Sequence, residues 1–329
     1  MKSNGTLLIS RREVAALLRL DECIAAVEQA FKAHAEGRAL PPGVLGVHAR
    51  DGGFHIKAAG LELARPYFAA KVNGNFFHNK ERFGMPNIQG VILLCDAENG
   101  YPLALMDSIE ITILRTGAAT AVAAKYLARP DSKVATICGC GNQGRVSLRA
   151  LTRVRPIETV YLFDTDHSQA ERAADELSSE LQIEVKATGD LAAAVGKSDI
   201  CVTCTPSKKY FLNQSDIPSG MFIAAVGADN EEKQEIDPRL MATSKVIVDN
   251  LTQCAVIGDL HHAIALGLMT ESDIHAELGE VIAGQRPGRA TAEEIIIFDS
   301  TGTALQDVAA AAIVYERAEG AGIRLNFAD

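Results

Sequence analysis

No stretch of this 329-residue sequence holds the roughly 18 uninterrupted apolar residues that a helix needs to cross a bilayer. The opening MKSNGTLLISRREVAALL is short in apolar residues and charged at Arg11, Arg12 and Glu13, so it does not read as a signal peptide. From these two absences we expect a soluble, cytoplasmic protein. There is no run of basic residues either: 32 Lys and Arg stand against 42 Asp and Glu, a formal net charge of −10. Nucleic-acid phosphates and anionic lipids repel such a chain, so neither nucleic acid nor membrane is expected as a partner, and a small molecule is.

The seven cysteines are odd in number and irregularly spaced, which is no disulfide framework and fits a reducing compartment. Cys201 and Cys204 form a C-x-x-C, yet they lie in DICVTCTP, which reads as a buried strand, and no second C-x-x-C or C-x-x-H completes a tetrahedral metal site. Packed core thiols are therefore expected, and no metal. No internal repeat or low-complexity linker is visible. With 47% hydrophobic residues, the length suits two domains of ordinary size.

What is present is a change of texture along the chain. SRREVAALLRLDECIAAVEQAFKAHAEGRAL predicts two helices, the first capped by Ser10 and the second running from Leu20 to Ala35 until Gly37 stops it. Between residues 40 and 106, short apolar runs broken by Gly, Asn and Pro (FAAKVNG, GVILLCD, PLALM) predict a sheet. A long helix is expected from Ile109 to about Ala128, ending before Arg129-Pro130. From residue 133 strands and helices alternate: KVATICG, QGRVSLRALTRV, TVYLFD, SQAERAADELSSEL, IEVKAT, DLAAAVGKS and DICVTCT. This alternation predicts right-handed βαβ units and a parallel sheet, extended by strands in MFIAAVGA and KVIVDN. Helices are expected in HHAIALGL and IHAELGEVIAG, and the last segment reads as a strand, a small-residue loop and one alanine-rich helix.

Within the first βαβ unit, CGCGNQG places Gly139, Gly141 and Gly144 in the pattern G-x-G-x-x-G, between a buried strand and a helix. Gly139 permits a tight turn, Gly141 lets the backbone approach a pyrophosphate, and Gly144 lets helix and strand pack closely. The phosphates would sit on the N–H groups at the helix start, around Asn142 and Gln143. Asp164, closing VYLFD, follows Gly144 by about 20 residues and is placed to accept hydrogen bonds from the adenosine ribose; its charge would repel a 2′-phosphate, which favours NAD (NADH) over NADP. The bland alternative is a strand-end aspartate that caps a turn.

The blocks PLALMDSIEITILRTGAATAVAAKYLARP, CTPS, VGADNEEKQEIDPRLM, ELGEVIAGQRPG and IFDSTGTALQDVAAAAIVYE resemble the ornithine cyclodeaminase/μ-crystallin family over about residues 7 to 320, most closely its archaeal-type alanine dehydrogenase branch. The resemblance implies an α/β fold: an NAD-binding Rossmann domain over 116–302, and an α+β substrate-binding and dimerisation domain over 1–115 completed by 303–329. It implies that Arg115 and Thr116 face cofactor and substrate, that Lys71 and Asp229 flank the reacting carbon, and that Ser300 and Thr301 reach the nicotinamide side. Thr205 and Pro206 of CTPS, with Val226, Gly227 and Ala228 of VGAD, fall at the cofactor by the same resemblance.

The shared chemical step is hydride transfer between a nicotinamide and the carbon of an amine or imine beside a carboxylate. Arg115 offers a planar fork for that carboxylate. Lys71 would polarise a carbonyl or move protons, and Asp229 would stabilise an iminium or ammonium and accept its proton. Read without the resemblance, Asp229 is as well a turn cap, and Arg115 and Lys71 solvated surface charges. One departure concerns the substrate: where the branch has a further arginine before the sheet lysine, GGFHIKAAG has His55 and Lys57, which strand alternation puts on one face. The leading expectation is an amino-acid dehydrogenase or ketimine reductase working on a small amino, imino or 2-oxo acid as a homodimer. The alternatives are a cyclodeaminase that uses bound NAD without net redox change and releases ammonia, and a non-catalytic ligand-binding protein of the μ-crystallin type.

Overall fold

The computed structural model describes residues 5–318 and 320–326. The chain divides into two compact units, one of residues 1–115 with 303–329 and one of residues 116–302. The boundary falls inside a single helix, Ile109–Leu127, between Arg115 and Thr116.

In the first unit Ser10 and Glu13 form a capping box, with the Ser10 N–H donating to Glu13 Oε2 at 2.8 Å, and the helix Arg11–Leu17 follows. The second helix is Leu20–Ala35. Strands β1 (Thr6–Ile9), β2 (Ala39–Ala49), β3 (Gly52–Glu62), β4 (Pro66–Asn75), β5 (Ile88–Asp96) and β6 (Pro102–Asp107) join Ile323–Leu325 in one sheet. Its order is Ile323–Leu325, β1, β6, β5, β4, β3, β2. Neither β1 nor Ile323–Leu325 was expected; each is too short to carry a period of its own, and long-range pairing makes it a strand.

Alternation gives this sheet two different faces. On one, Ala59, Leu61, Tyr67, Ala69, Ile92 and Leu94 are buried, and the alanine-rich helix Ala304–Arg317 packs there on β3 and β4. Lys57 and Lys71 are opposite each other on this covered face, as are His55 and Asn73. On the other face Leu45, Val47, Phe54, Val72, Val91 and Leu105 are all exposed.

The second unit holds an eight-stranded sheet in which every neighbouring pair is parallel. Its strands are β7 (Val134–Cys138), β8 (Thr159–Phe163), β9 (Glu184–Ala187), β10 (Ile200–Thr203), β12 (Phe222–Ala225), β14 (Lys245–Val248), β15 (Ala276–Glu277) and β16 (Ile296–Asp299), while β11 (Lys208–Leu212) and β13 (Gln234–Ile236) form a separate pair. The order β15-β14-β16-β12-β10-β7-β8-β9 reverses direction at β7, between β8 and β10, where doubly wound sheets open a crevice at their carboxyl ends. This is the α/β parallel-sheet architecture expected from the sequence. One expected helix is corrected. In IHAELGEVIAG only Leu278–Ile282 is helical, because Ala276 and Glu277 pair with Ile247 and Val248 as an edge strand.

Candidate functional site

The dinucleotide turn follows β7 directly. Gly139 has φ +98°, a conformation that a side chain would strain, and a Cβ on Gly144 would fall 2.0 Å from the Gly139 carbonyl oxygen. Gly141 is the N-cap of the helix Asn142–Leu151, and a Cβ built there meets no atom within 4 Å. The open cradle therefore lies in front of Asn142, Gln143 and Gly144, whose N–H groups have no acceptor within a helix's first turn. Such a cradle suits a pyrophosphate.

Asp164 does more at this turn than the ribose argument requires. Its Oδ2 accepts from the Cys140 N–H at 2.8 Å and from Gln169 Nε2 at 2.9 Å, and its Oδ1 accepts from the Asp166 N–H at 3.0 Å. A carboxylate offers about four acceptor sites, so these three bonds, one of them to the glycine turn, leave room for about one hydroxyl. Cys204 secures the same turn, its thiol donating to the carbonyls of Cys138 at 3.2 Å and Gly139 at 3.3 Å. Cys201 is a fully buried core thiol, Cys204 is half-buried at the turn, and all seven cysteines are free.

Buried carboxylates organise the remaining loops at the carboxyl ends of this sheet, and sequence reasoning missed them. Glu235 Oε1 accepts from the N–H and hydroxyl of Thr205 at 2.6 and 2.7 Å, and its Oε2 accepts from the Gly227 N–H at 3.0 Å. One side chain thus ties the loop carrying Thr205 and Pro206 to the one carrying Val226, Gly227, Ala228 and Asp229. Asp259 Oδ1 accepts from the N–H groups of Glu235 and Ile236 at 2.7 and 3.0 Å, and Asp299 Oδ2 accepts from the Leu260 N–H at 2.9 Å. Burial raises the pKa of Glu235 to about 7, helped by the charge of Asp259, and burial raises Asp259 to about 6.

Asp249 gathers the FDSTG loop: its Oδ2 accepts from the Ser300 hydroxyl at 2.8 Å and the Gly302 N–H at 2.7 Å, and its Oδ1 from the Thr301 hydroxyl at 3.3 Å. Asp229 is partly exposed and its Oδ1 accepts from Lys233 Nζ at 2.7 Å, while Lys233 also donates to the Gly227 carbonyl at 3.2 Å.

The first unit brings together the other expected residues. Lys71 on β4 and Arg115 on the helix Ile109–Leu127 are both buried, and both bond to Asp307 on the helix Ala304–Arg317. Lys71 Nζ donates to Asp307 Oδ1 at 2.8 Å and stands 2.7 Å from Oδ2; Arg115 Nε donates to Oδ1 at 3.2 Å. Arg115 Nη1 donates to Gln306 Oε1 at 3.0 Å, and Lys71 also reaches Thr112 Oγ1 at 3.5 Å. Burial pulls the Lys71 pKa from 10.5 down to about 7 against the opposing charge of Asp307, with Arg115 and Lys57 adding to the fall. Lys57 is buried on the strand beside Lys71 and His55 is two residues away on the same face. A lysine amine at this pKa can both give and take a proton near neutrality, and the guanidinium beside it can grip a carboxylate. Gln306 and Asp307 were not singled out from the sequence, although two polar residues inside ALQDVAAAAIV were the available sign.

The model of the ornithine cyclodeaminase/mu-crystallin family matches residues 5–322. The chain is 38% identical to the alanine dehydrogenase of Archaeoglobus fulgidus over 325 residues, 98% of each chain. Among solved structures it resembles an archaeal alanine dehydrogenase dimer with bound NAD at 37% identity, TM-score 0.94, over 98% of this chain and 99% of that one. It also resembles the Δ1-pyrroline-2-carboxylate reductase of Thermococcus litoralis in complex with NADH and L-proline, at 35% identity and TM-score 0.92, over 97% of this chain and all of that one.

Proposed function

We propose that this chain, which belongs to the ornithine cyclodeaminase/mu-crystallin family, is an NAD(H)-dependent oxidoreductase acting on the CH–NH or CH–NH2 group of an amino or imino acid, as an amino-acid dehydrogenase or ketimine reductase. The observation that carries this is the buried set of Lys71, Arg115 and Asp307: an amine that titrates near neutrality beside a guanidinium suited to a carboxylate. The dinucleotide turn and the bound NAD and NADH of the two similar structures support the cofactor.

Gly139, Gly141, Asn142, Gln143 and Gly144 would hold the pyrophosphate and Asp164 the adenosine ribose. Arg115, Thr116, Thr205, Pro206, Val226, Gly227, Ala228 and Ser300 would contact the rest of the dinucleotide, with Thr301 beside them. When bound, NAD supplies the hydride acceptor and NADH the donor. Arg115 takes the substrate carboxylate and orients the α-carbon. Lys71, as an ammonium, supplies a proton during imine formation or reduction, and as a free amine removes one in the reverse direction. Asp229 offsets the positive charge of the iminium or ammonium. His55 and Lys57, on the same sheet face as Lys71, bear on substrate choice.

We also propose a homodimer in the cytoplasm. The exposed apolar sheet face of Leu45, Val47, Phe54, Val72, Val91 and Leu105 supports association with a second copy, since grouped exposed apolar side chains mark interaction surfaces. Seven free thiols support a reducing compartment. Dimer mass in light scattering, lost in Val72→Arg, is the expected result.

A panel of 2-oxo acids with ammonium, cyclic imines and diamino acids, followed for both NADH and ammonia, tests the activity. NADH consumed in step with a 2-oxo acid or cyclic imine is expected. NADH that stays constant while ornithine disappears and ammonia accumulates would replace this reading with cyclodeamination. No turnover by a protein that still binds NAD would replace it with ligand binding alone.

A further inference from the structure

Asp307 has no part in the roles above, yet Lys71 and Arg115 both bond to it. We propose that Asp307 is a positioning residue: its one carboxylate fixes the Lys71 amine and the Arg115 guanidinium relative to each other and keeps a proton on Lys71. The inference rests on the proposed roles of Lys71 and Arg115.

The geometry leaves the carboxylate little choice of orientation. Its Oδ1 and Oδ2 stand 2.8 and 2.7 Å from Lys71 Nζ, and Oδ1 also accepts from Arg115 Nε at 3.2 Å. The preceding residue, Gln306, accepts from Nη1 at 3.0 Å, so two consecutive residues on one helix set the plane of the guanidinium. Neither bond uses Nη2, which leaves that nitrogen to meet an incoming carboxylate. The helix bearing both residues packs on β4, which carries Lys71, so the three side chains are held on rigid elements.

The charges around Lys71 make the carboxylate necessary. From β3 it faces Lys57, with His55 farther along the same face; from the helix Ile109–Leu127 it faces Arg115; from the helix Ala304–Arg317, Asp307. Cys23, on the helix Leu20–Ala35, senses both Arg115 and Asp307, but burial pushes its thiol up to about 12 and it stays neutral. Burial, Lys57 and Arg115 all favour the neutral amine, and Asp307 is the opposing charge. Without it burial and two like charges would act unopposed on the Lys71 ammonium, and Arg115 does not deprotonate in its place.

The test compares pH–rate profiles for NADH-dependent reduction of pyruvate with ammonium and of Δ1-pyrroline-2-carboxylate, using the full chain. In wild type, activity is expected to fall as pH rises through the Lys71 pKa, because the ammonium is then lost. Asp307→Asn keeps the shape and removes the charge, so that limb should move toward acid by about one to three pH units, and the substrate KM should rise as Arg115 loses its anchor. Asp307→Glu keeps the charge and should return the limb close to its wild-type position at reduced kcat. NADH binding and Tm, measured for each variant, separate this from unfolding. If Asp307→Asn does not fold, a limb held by Asp307→Glu with a raised KM still supports the inference, and a limb displaced toward acid overturns it. An unmoved limb in Asp307→Asn, when Lys71→Met abolishes the limb, overturns the inference and spares the role of Lys71. A limb that persists in Lys71→Met, or reduction of neither substrate, overturns both.

Discussion

Each unit buries a cluster of charge, and the two clusters are of opposite sign. In the first, Lys57, Lys71 and Arg115 surround Asp307; in the second, Glu235, Asp249, Asp259 and Asp299 accept bonds from backbone N–H and hydroxyl groups. Burial acts on both by penalising the charged form, so it drives Lys71 down to about 7 and Glu235 up to about 7. Their partners separate them. The carboxylates bond to main chain and hydroxyl groups and hold loops in place, whereas Lys71 and Arg115 share one side-chain carboxylate, with Arg115 Nη2 outside those bonds. One cluster shapes a backbone; the other, in the proposed function, meets an anion.

Lys71→Met is the sharpest way to break this contrast. If the cation cluster performs chemistry, kcat should fall by about 10²- to 10⁴-fold, the usual worth of a positioned proton-transfer group, with NADH affinity unchanged by fluorescence titration. A near-normal rate would make Lys71 a structural charge like those of the second unit.

Asp164 lies between the two types, being partly exposed and accepting three bonds, one from the glycine turn at Cys140 and two from Asp166 and Gln169, while keeping an acceptor site. Asp164→Ala should therefore weaken NAD binding by about tenfold, the loss of one charge-assisted hydrogen bond, and relax discrimination against NADP. Equal wild-type affinity for both cofactors would leave Asp164 as a turn cap alone.

The contrast also explains what could be read from the chain. The glycine turn was legible because its strand, its three glycines and its helix are contiguous, and alternation put His55 and Lys57 on one face, which Lys71 on the neighbouring strand shares. The Lys71–Asp307 pair spans 236 residues, and nothing local to Asp307 announces its partner. Glu235 was hidden in the same way: it sits in a charged stretch, NEEKQEID, that reads as surface, and only the three-residue strand Gln234–Ile236 and the loops folding onto it bury it. The edge strand Ala276–Glu277 was lost to a helical pattern that continues through it.

The smallest expected effect tests the opposite titration directly, through the pH dependence of the urea midpoint. Glu235 rises from an ordinary 4.5 to about 7, and Asp259 from 3.8 to about 6. Between those values the folded chain holds protons that the unfolded chain has released, so stability should fall as pH rises from about 4 to 7. Lys71 drops from 10.5 to about 7, so above pH 7 the unfolded chain holds the extra proton and stability should rise toward 10.5. Each slope is at most about 1.4 kcal/mol per pH unit for one group. Glu235→Gln should flatten the acid-side fall and leave the alkaline rise, and Lys71→Met should do the reverse. If either variant altered both slopes, the two clusters would not be the independent devices that their separate partners imply.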